Sequence, residues 1–145
     1  MAEIKSLKSF LQENAIKKEN ILYIASKRFI DEKGKPIEWE LRTLTNDELD
    51  KLTTRYTKKI PIKGTKDYKE KFDSDAFMMA LTLESVVYPN LDDVELQNDW
   101  NVVGSEALLK AMLTPGELTD LKLAASEASD FDAGMNDKIK QIKNS

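Results

Sequence analysis

The stretch AFMMALTLESVVY, residues 76–88, is apolar almost all the way round a helix, and a helix of that kind is buried on several sides. The pattern predicts a central core helix over residues 75–88, capped by Asp73 or Ser74 and ended by Pro89. Upstream, NILYIASKRFI at residues 20–30 is rich in β-branched and aromatic side chains, and after the break DEKGKP the segment IEWELR alternates strictly. Ile37, Trp39 and Leu41 fall on one face and Glu38, Glu40 and Arg42 on the other, so the two stretches read as a β-hairpin with a long loop and one wet side. Two strands alone are marginal in water, and the apolar face must be covered by helices or extended by another strand. KKIPIK, residues 58–63, can supply a third, short edge strand, with Pro61 confined to an edge because it cannot donate to a ladder.

The remaining periodicities predict helices. Ile4, Leu7, Phe10 and Leu11 recur at helical spacing, giving a short amphipathic helix over residues 3–14 with a narrow stripe. Thr45-Asn46-Asp47-Glu48 is a capping box that opens a helix through about Arg55, with Leu49 and Leu52 inward. Residues 64–72 are polar, lysine-rich and read as a solvated loop. Asp92 and Asp93 open a short helix, Gly104-Ser105 precedes SEALLKAML, and Thr114-Pro115-Gly116-Glu117 combines a second capping box with proline at the first helical position. Leu118, Leu121, Ala125 and Ala128 then line one face of a last helix ending near Asp130. Met135, Ile139 and Ile142 share a helical spacing too, but a chain terminus of this weak apolarity is expected to fray. The sum is an α+β fold, mainly helical, with a β-hairpin in the N-terminal half packed on a helical bundle. It forms a single domain over residues 1–132, with a weakly ordered tail over 133–145.

Composition narrows the chemistry. At 145 residues the chain can bury one core, and its 41% hydrophobic and 33% charged residues place it among globular proteins. It has no cysteine and no histidine, so disulfides, thiolate or imidazole metal sites, thiol nucleophiles and the usual neutral-pH general base are all excluded. The five glycines stand too far apart to cradle a phosphate. Charges interrupt every apolar pair in MAEIKSLKSFLQEN, unlike a signal peptide, and no window is long and apolar enough to span a bilayer. A cytoplasmic protein without cofactor or membrane partner is the simplest reading.

The net charge of −4 conceals an asymmetry: residues 1–72 hold 17 Lys+Arg and 12 Asp+Glu, whereas residues 73–145 hold 5 and 14. Such bipolarity steers head-to-tail contact between copies, or docking of a charged partner, unless the two halves interleave in the fold. Asp92, Asp93, Glu95 and Asp99 are the densest carboxylate group, with oxygen ligands suited to a hard cation. Capping plus a solvated acidic face accounts for them more simply, and the same holds for Asp47, Glu48 and Asp50. Lys58, Lys59, Lys63, Lys66, Lys69 and Lys71, with Tyr68 among them, form the one basic run with an aromatic in it. An acidic chain with three arginines lacks the forks and stacking platforms of nucleic-acid proteins, so nucleic acid is not expected as a partner. Trp39 and Trp100 read as core or cover residues.

The distribution of motifs carries a resemblance. Ser26-Lys27-Arg28-Phe29, the turn and strand GKPIEWE at residues 34–40, Leu44-Thr45, SVVYPNLDDVEL at residues 85–96 and Leu113-Thr114-Pro115-Gly116-Glu117 resemble the XkdN-like tail assembly chaperones of contractile-tailed bacteriophages and PBSX-type prophages. The resemblance runs from about residue 6 to residue 132. It implies a non-catalytic protein that binds the tape measure protein and assists tail tube polymerisation, acts in the bacterial host cytoplasm and is absent from the mature virion. The tail tube protein is a further implied partner, self-association is compatible with the charge pattern, and many such systems also make a longer frameshifted form. No catalytic, cofactor or metal residues are implied. The density of apolar residues between caps in the second half suggests a partner groove built from Tyr88, Leu91, Trp100, Leu108, Met112, Leu118 and Leu121, with methionine able to repack around varied helical stripes. The alternatives are a structural tail or connector component retained in the virion and, less consistent with the composition, an enzyme built on carboxylates and lysine.

Overall fold

The computed structural model describes residues 6–130. The order of elements is β1 (Ile21–Tyr23), β2 (Trp39–Leu41), α1 (Asn46–Arg55), β3 (Thr57–Pro61), β4 (Tyr68–Phe72), α2 (Ser74–Ser85), β5 (Val86–Tyr88), α3 (Val94–Asp99), α4 (Ser105–Met112) and α5 (Pro115–Ala128). The fold is mixed α+β and mainly helical, as the periodicities predict. The expected hairpin forms, with Ile21 opposite Leu41 and Tyr23 opposite Trp39, and an isolated bridge between Ile30 and Pro36 narrows its long connection.

The third strand of this sheet is not residues 58–63. It is β5, which pairs antiparallel with β2 to give the order β1-β2-β5. Leu41 pairs with Val86 and Glu40 with Tyr88, so one step along β2 meets two along β5, a bulge at Val87. The core helix therefore ends at Ser85, three residues before the sequence pattern suggests, and the apolar run VVY continues as strand. A short apolar run does not distinguish the two conformations, and here an open edge of β2 decides between them. The Tyr88–Pro89 peptide is cis. Residues 57–61 are a strand, but they pair with residues 68–72, which are strand and not loop, in a separate two-stranded hairpin that leaves α1 and re-enters α2.

α2 is the central element. Met79 joins a cluster with Trp39, Leu41, Leu91, Leu108, Leu109, Met112, Leu113 and Leu121 beneath the sheet. Phe77, Ala80 and Leu81 join a second cluster with Leu44, Leu52 and Ala125 on the α1 side. Its buried hydroxyls are satisfied within the helix, Thr82 donating to the Met78 carbonyl at 2.7 Å and Ser85 to the Leu81 carbonyl at 2.8 Å. Both tryptophans are core or cover: Trp39 is buried, and Trp100 packs on the same cluster.

The predicted caps are present. Thr45 and Thr114 each accept from the backbone N–H of a glutamate three residues on, while Glu48 and Glu117 accept from the cap N–H in return. Asp73 caps α2 and Asp93 caps α3. Among the described residues the expected N-terminal helix over 3–14 is not found. Lys8–Phe10 and Gln12–Asn14 are single 3₁₀ turns, and Leu7 and Phe10 are 74% and 82% exposed. A short helix must recover its nucleation cost by packing a broad stripe, and the narrow stripe of Leu7 and Phe10 is left exposed. Ile4, the tail over 133–145 and its Met135, Ile139 and Ile142 lie outside the described residues.

Candidate partner-binding site

Two arginines tie the hairpin to the helical layer in matching ways. Arg42, just after β2, donates from Nε to the Glu84 carbonyl at the end of α2 and grips both carboxylate oxygens of Glu48, at 3.0 and 2.6 Å. Arg28, in the hairpin connection, donates to the Met112 carbonyl at the end of α4 and pairs with Glu117 at 3.1 Å. Each guanidinium thus meets the negative end of one helix dipole and the capping glutamate of another helix, which only a planar fork reaches together. The Arg42 hydrogen bonds, with help from the Thr45 N–H, hold the Glu48 carboxyl down at about 2. The Ser26 hydroxyl, the Thr114 N–H and Arg28 hold Glu117 down to about 2 as well. These charges are structural clamps.

The clamps fix the walls of an apolar notch of about 140 Å³. Phe29 and Ile37 come from the hairpin connection, Trp39 from β2, Tyr88 and Pro89 from the end of β5, and Leu96 and Met112 from α3 and α4. Trp100 backs it, its ring set edge-on to Phe29 at 6.1 Å. Cofactor pockets start at roughly 300 Å³, whereas a cavity near 150 Å³ holds a benzene-sized group. The notch is therefore sized for one apolar side chain presented by a macromolecule.

The seven residues expected to form a partner groove divide. Tyr88, 52% exposed, and Met112 line the notch, and Trp100 supports it. Leu91, Leu108 and Leu121 are buried in the core, at 4%, 0% and 0% exposure, and Leu118 is half-buried against it. In this conformation the helices close on Leu91, Leu108 and Leu121, so these three offer no surface unless the bundle opens. Phe29, Ile37, Pro89 and Leu96 were not among the expected groove residues. The signal for them was the set of motifs that carries the resemblance: SKRF, GKPIEWE and SVVYPNLDDVEL are separated in sequence, yet all three contribute to this one notch.

Within the acidic segment the Asp93 carboxylate caps α3, accepting from the Leu96 N–H at 2.9 Å. Among the described residues no group of three or more acidic side chains is placed to hold a metal ion, and no helix is long and apolar enough to cross a membrane.

Residues 7–143 match the family of phage XkdN-like tail assembly chaperone proteins. The chain belongs to that family. It is 28% identical over 142 residues to the phage-like element PBSX protein XkdN of Bacillus subtilis strain 168, covering 97% of this chain and 95% of that protein. It is 27% identical over 143 residues to YqbN of the same strain, covering 98% and 95%. The crystal structure of YqbN superposes with a TM-score of 0.72 at 24% identity, over 90% of this chain and all of that one, and shows the shared fold. XkdN-like chaperones are thus the setting in which the notch and its clamps are to be understood.

Proposed function

We propose that this XkdN-like chaperone binds the tape measure protein of its phage or prophage in the bacterial host cytoplasm, keeps it soluble, and assists tail tube subunits in polymerising around it. The protein then leaves, and does not enter the mature virion. The observation that carries the reading is the convergence of separate family-resembling motifs on one apolar, side-chain-sized notch, in a chain that matches a tail assembly chaperone family over residues 7–143. A long helical partner offers apolar stripes at regular spacing, and one anchor side chain per chaperone, seated between Tyr88, Phe29 and Leu96, is a helix-in-groove contact of minimal size. Burying such a side chain contributes about 1.5–3 kcal/mol. Many copies along one tape measure then give avidity that a single notch lacks.

The test is co-expression with the neighbouring tape measure protein, followed by affinity capture and light scattering. A soluble complex with several copies of this chain per tape measure is expected. A tape measure that stays insoluble while this chain elutes alone would reject the assignment. Recovery of the chain in stoichiometric amount from purified particles would replace it with a structural tail or connector role.

A further inference from the structure

The β3–β4 hairpin stands outside both hydrophobic clusters, and apart from Thr57 every residue in its strands is exposed. Its register sorts the side chains. One face carries Thr57, Lys59, Pro61, Tyr68, Glu70 and Phe72, with Lys59 opposite Glu70 and the Phe72 ring tilted against Phe77 of α2 at 5.2 Å. The other carries Lys58 directly opposite Lys71 and Ile60 opposite Lys69. Like charges set across a strand pair are destabilising, and none of these three lysines forms an ion pair among the described residues. Ile60 is 42% exposed between them, above an open hollow of about 390 Å³ at the foot of the arm. Asp73 is the one acid lining that hollow, and its carboxylate already caps α2.

The rest of the molecule has the opposite sign. Residues 57–72 hold six lysines and two acids, whereas the other 129 residues hold 16 Lys+Arg and 24 Asp+Glu. One group of these acids lies at the far end of α2, whose 12 residues span about 18 Å. There Asp92 borders the same cavity as Glu84, and Asp93, Glu95 and Asp99 follow on α3. None of Asp92, Asp93, Glu95 and Asp99 is in an ion pair among the described residues. Two apolar side chains stand exposed beside them, Val94 at 67% and Val103 at 92%.

We infer that the basic face of the β3–β4 hairpin docks on the acidic α3 end of a second copy of this chain. Lysines around Ile60 meet carboxylates around Val94, so charge and apolar surface are complementary together. The arm of one molecule cannot reach its own α3, because the two patches lie at opposite ends of α2. The contact joins different surfaces on the two partners, and repetition gives a ring or an open chain, not a closed two-fold dimer. It uses the carboxylates of α3, not the apolar lining of the notch, and does not depend on the tape measure.

The test uses the full chain alone. Light scattering and sedimentation at about 0.05 M salt should show a mass that rises with concentration, falling back toward 16.5 kDa near 1 M salt, where the screening length is about 3 Å. The triple variant K58E/K69E/K71E and the double variant E95K/D99K, which spares the Asp93 cap, should each be monomeric with wild-type near-UV circular dichroism. Mixed one to one, the intact arm of the double variant meets the intact acidic end of the triple variant, and the two reversed surfaces attract as well, so association should return, with the two variants alternating. A wild type that is monomeric throughout, a reversed arm that still associates, or a mixture that stays monomeric would overturn the inference. A monomeric wild type whose reversed arm instead loses tape measure capture would assign the arm to that partner and equally overturn self-association.

Discussion

Leu108→Ala should destabilise the fold without touching the partner surface, while Tyr88→Ala should do nearly the reverse. Leu108 is fully buried in the cluster shared by the sheet, α4 and α5. Truncating such a leucine costs about 2–5 kcal/mol, and a mid-range loss of about 3 kcal/mol lowers Tm by roughly 12 °C in a domain of this size. Because domains of this kind unfold with about 5–15 kcal/mol, the variant stays folded at low temperature, where its capture of the tape measure should be close to wild type. Tyr88 is half exposed, and its ring forms one wall of the notch. Its truncation should cost about 1.5 kcal/mol of stability but remove the seat of the anchor side chain, weakening capture per site by about 10- to 100-fold. Thermal melts by circular dichroism and capture assays at 10–15 °C, run on both variants, separate the two effects. A Leu108→Ala protein with unchanged Tm and lost capture would show that α4 turns its apolar face to a partner, and would refute the packing described above.

Other consequences can be checked on the isolated chain. Thr114→Ala removes the cap of α5 and should cost about 1 kcal/mol in urea denaturation, with Thr45→Ala similar for α1. Glu48 and Glu117 have folded pKa values of about 2 against an ordinary 4.5, so they contribute stability that is complete above that ordinary value and is lost as pH falls from there through about 2. Urea midpoints should therefore drop across that window, and an E48Q/E117Q variant should show a shallower drop. Gly104 precedes α4 with φ of +95°, so Gly104→Ala should cost about 1–2 kcal/mol from backbone strain although no atom lies within contact of the added carbon.

Local signals were the readable part of this fold. Thr45 and Glu48, and Thr114 and Glu117, each specify their helix start from within a few residues and are found as predicted, while the alternation of Ile37, Trp39 and Leu41 finds its strand only over Trp39–Leu41. What the chain does not announce locally is pairing. VVY continues the apolar run of α2 and is claimed as strand only because β2 offers it an edge, and YKEKF alternates Tyr68, Glu70 and Phe72 beneath a lysine content that suggests solvated loop. The site follows the same division. The apolar residues of the last helices are evident in the sequence, but which of them face inward depends on how α2, α4 and α5 meet, so Leu108 and Leu121 are core while Tyr88 is surface. The basic run and the acidic segment are likewise evident as composition, and only the register of the hairpin shows that three lysines share a face, with no ion pair among the described residues.

The central claim is that the tape measure is held at the notch. Hydrogen exchange of this chain alone and in its co-purified complex with the tape measure protein tests it most directly. Slowed exchange over the backbone around Phe29 to Trp39 and Tyr88 to Leu96, with little change in α1, is the expected result. A stable complex in which those two stretches exchange as fast as in the free chain would contradict it.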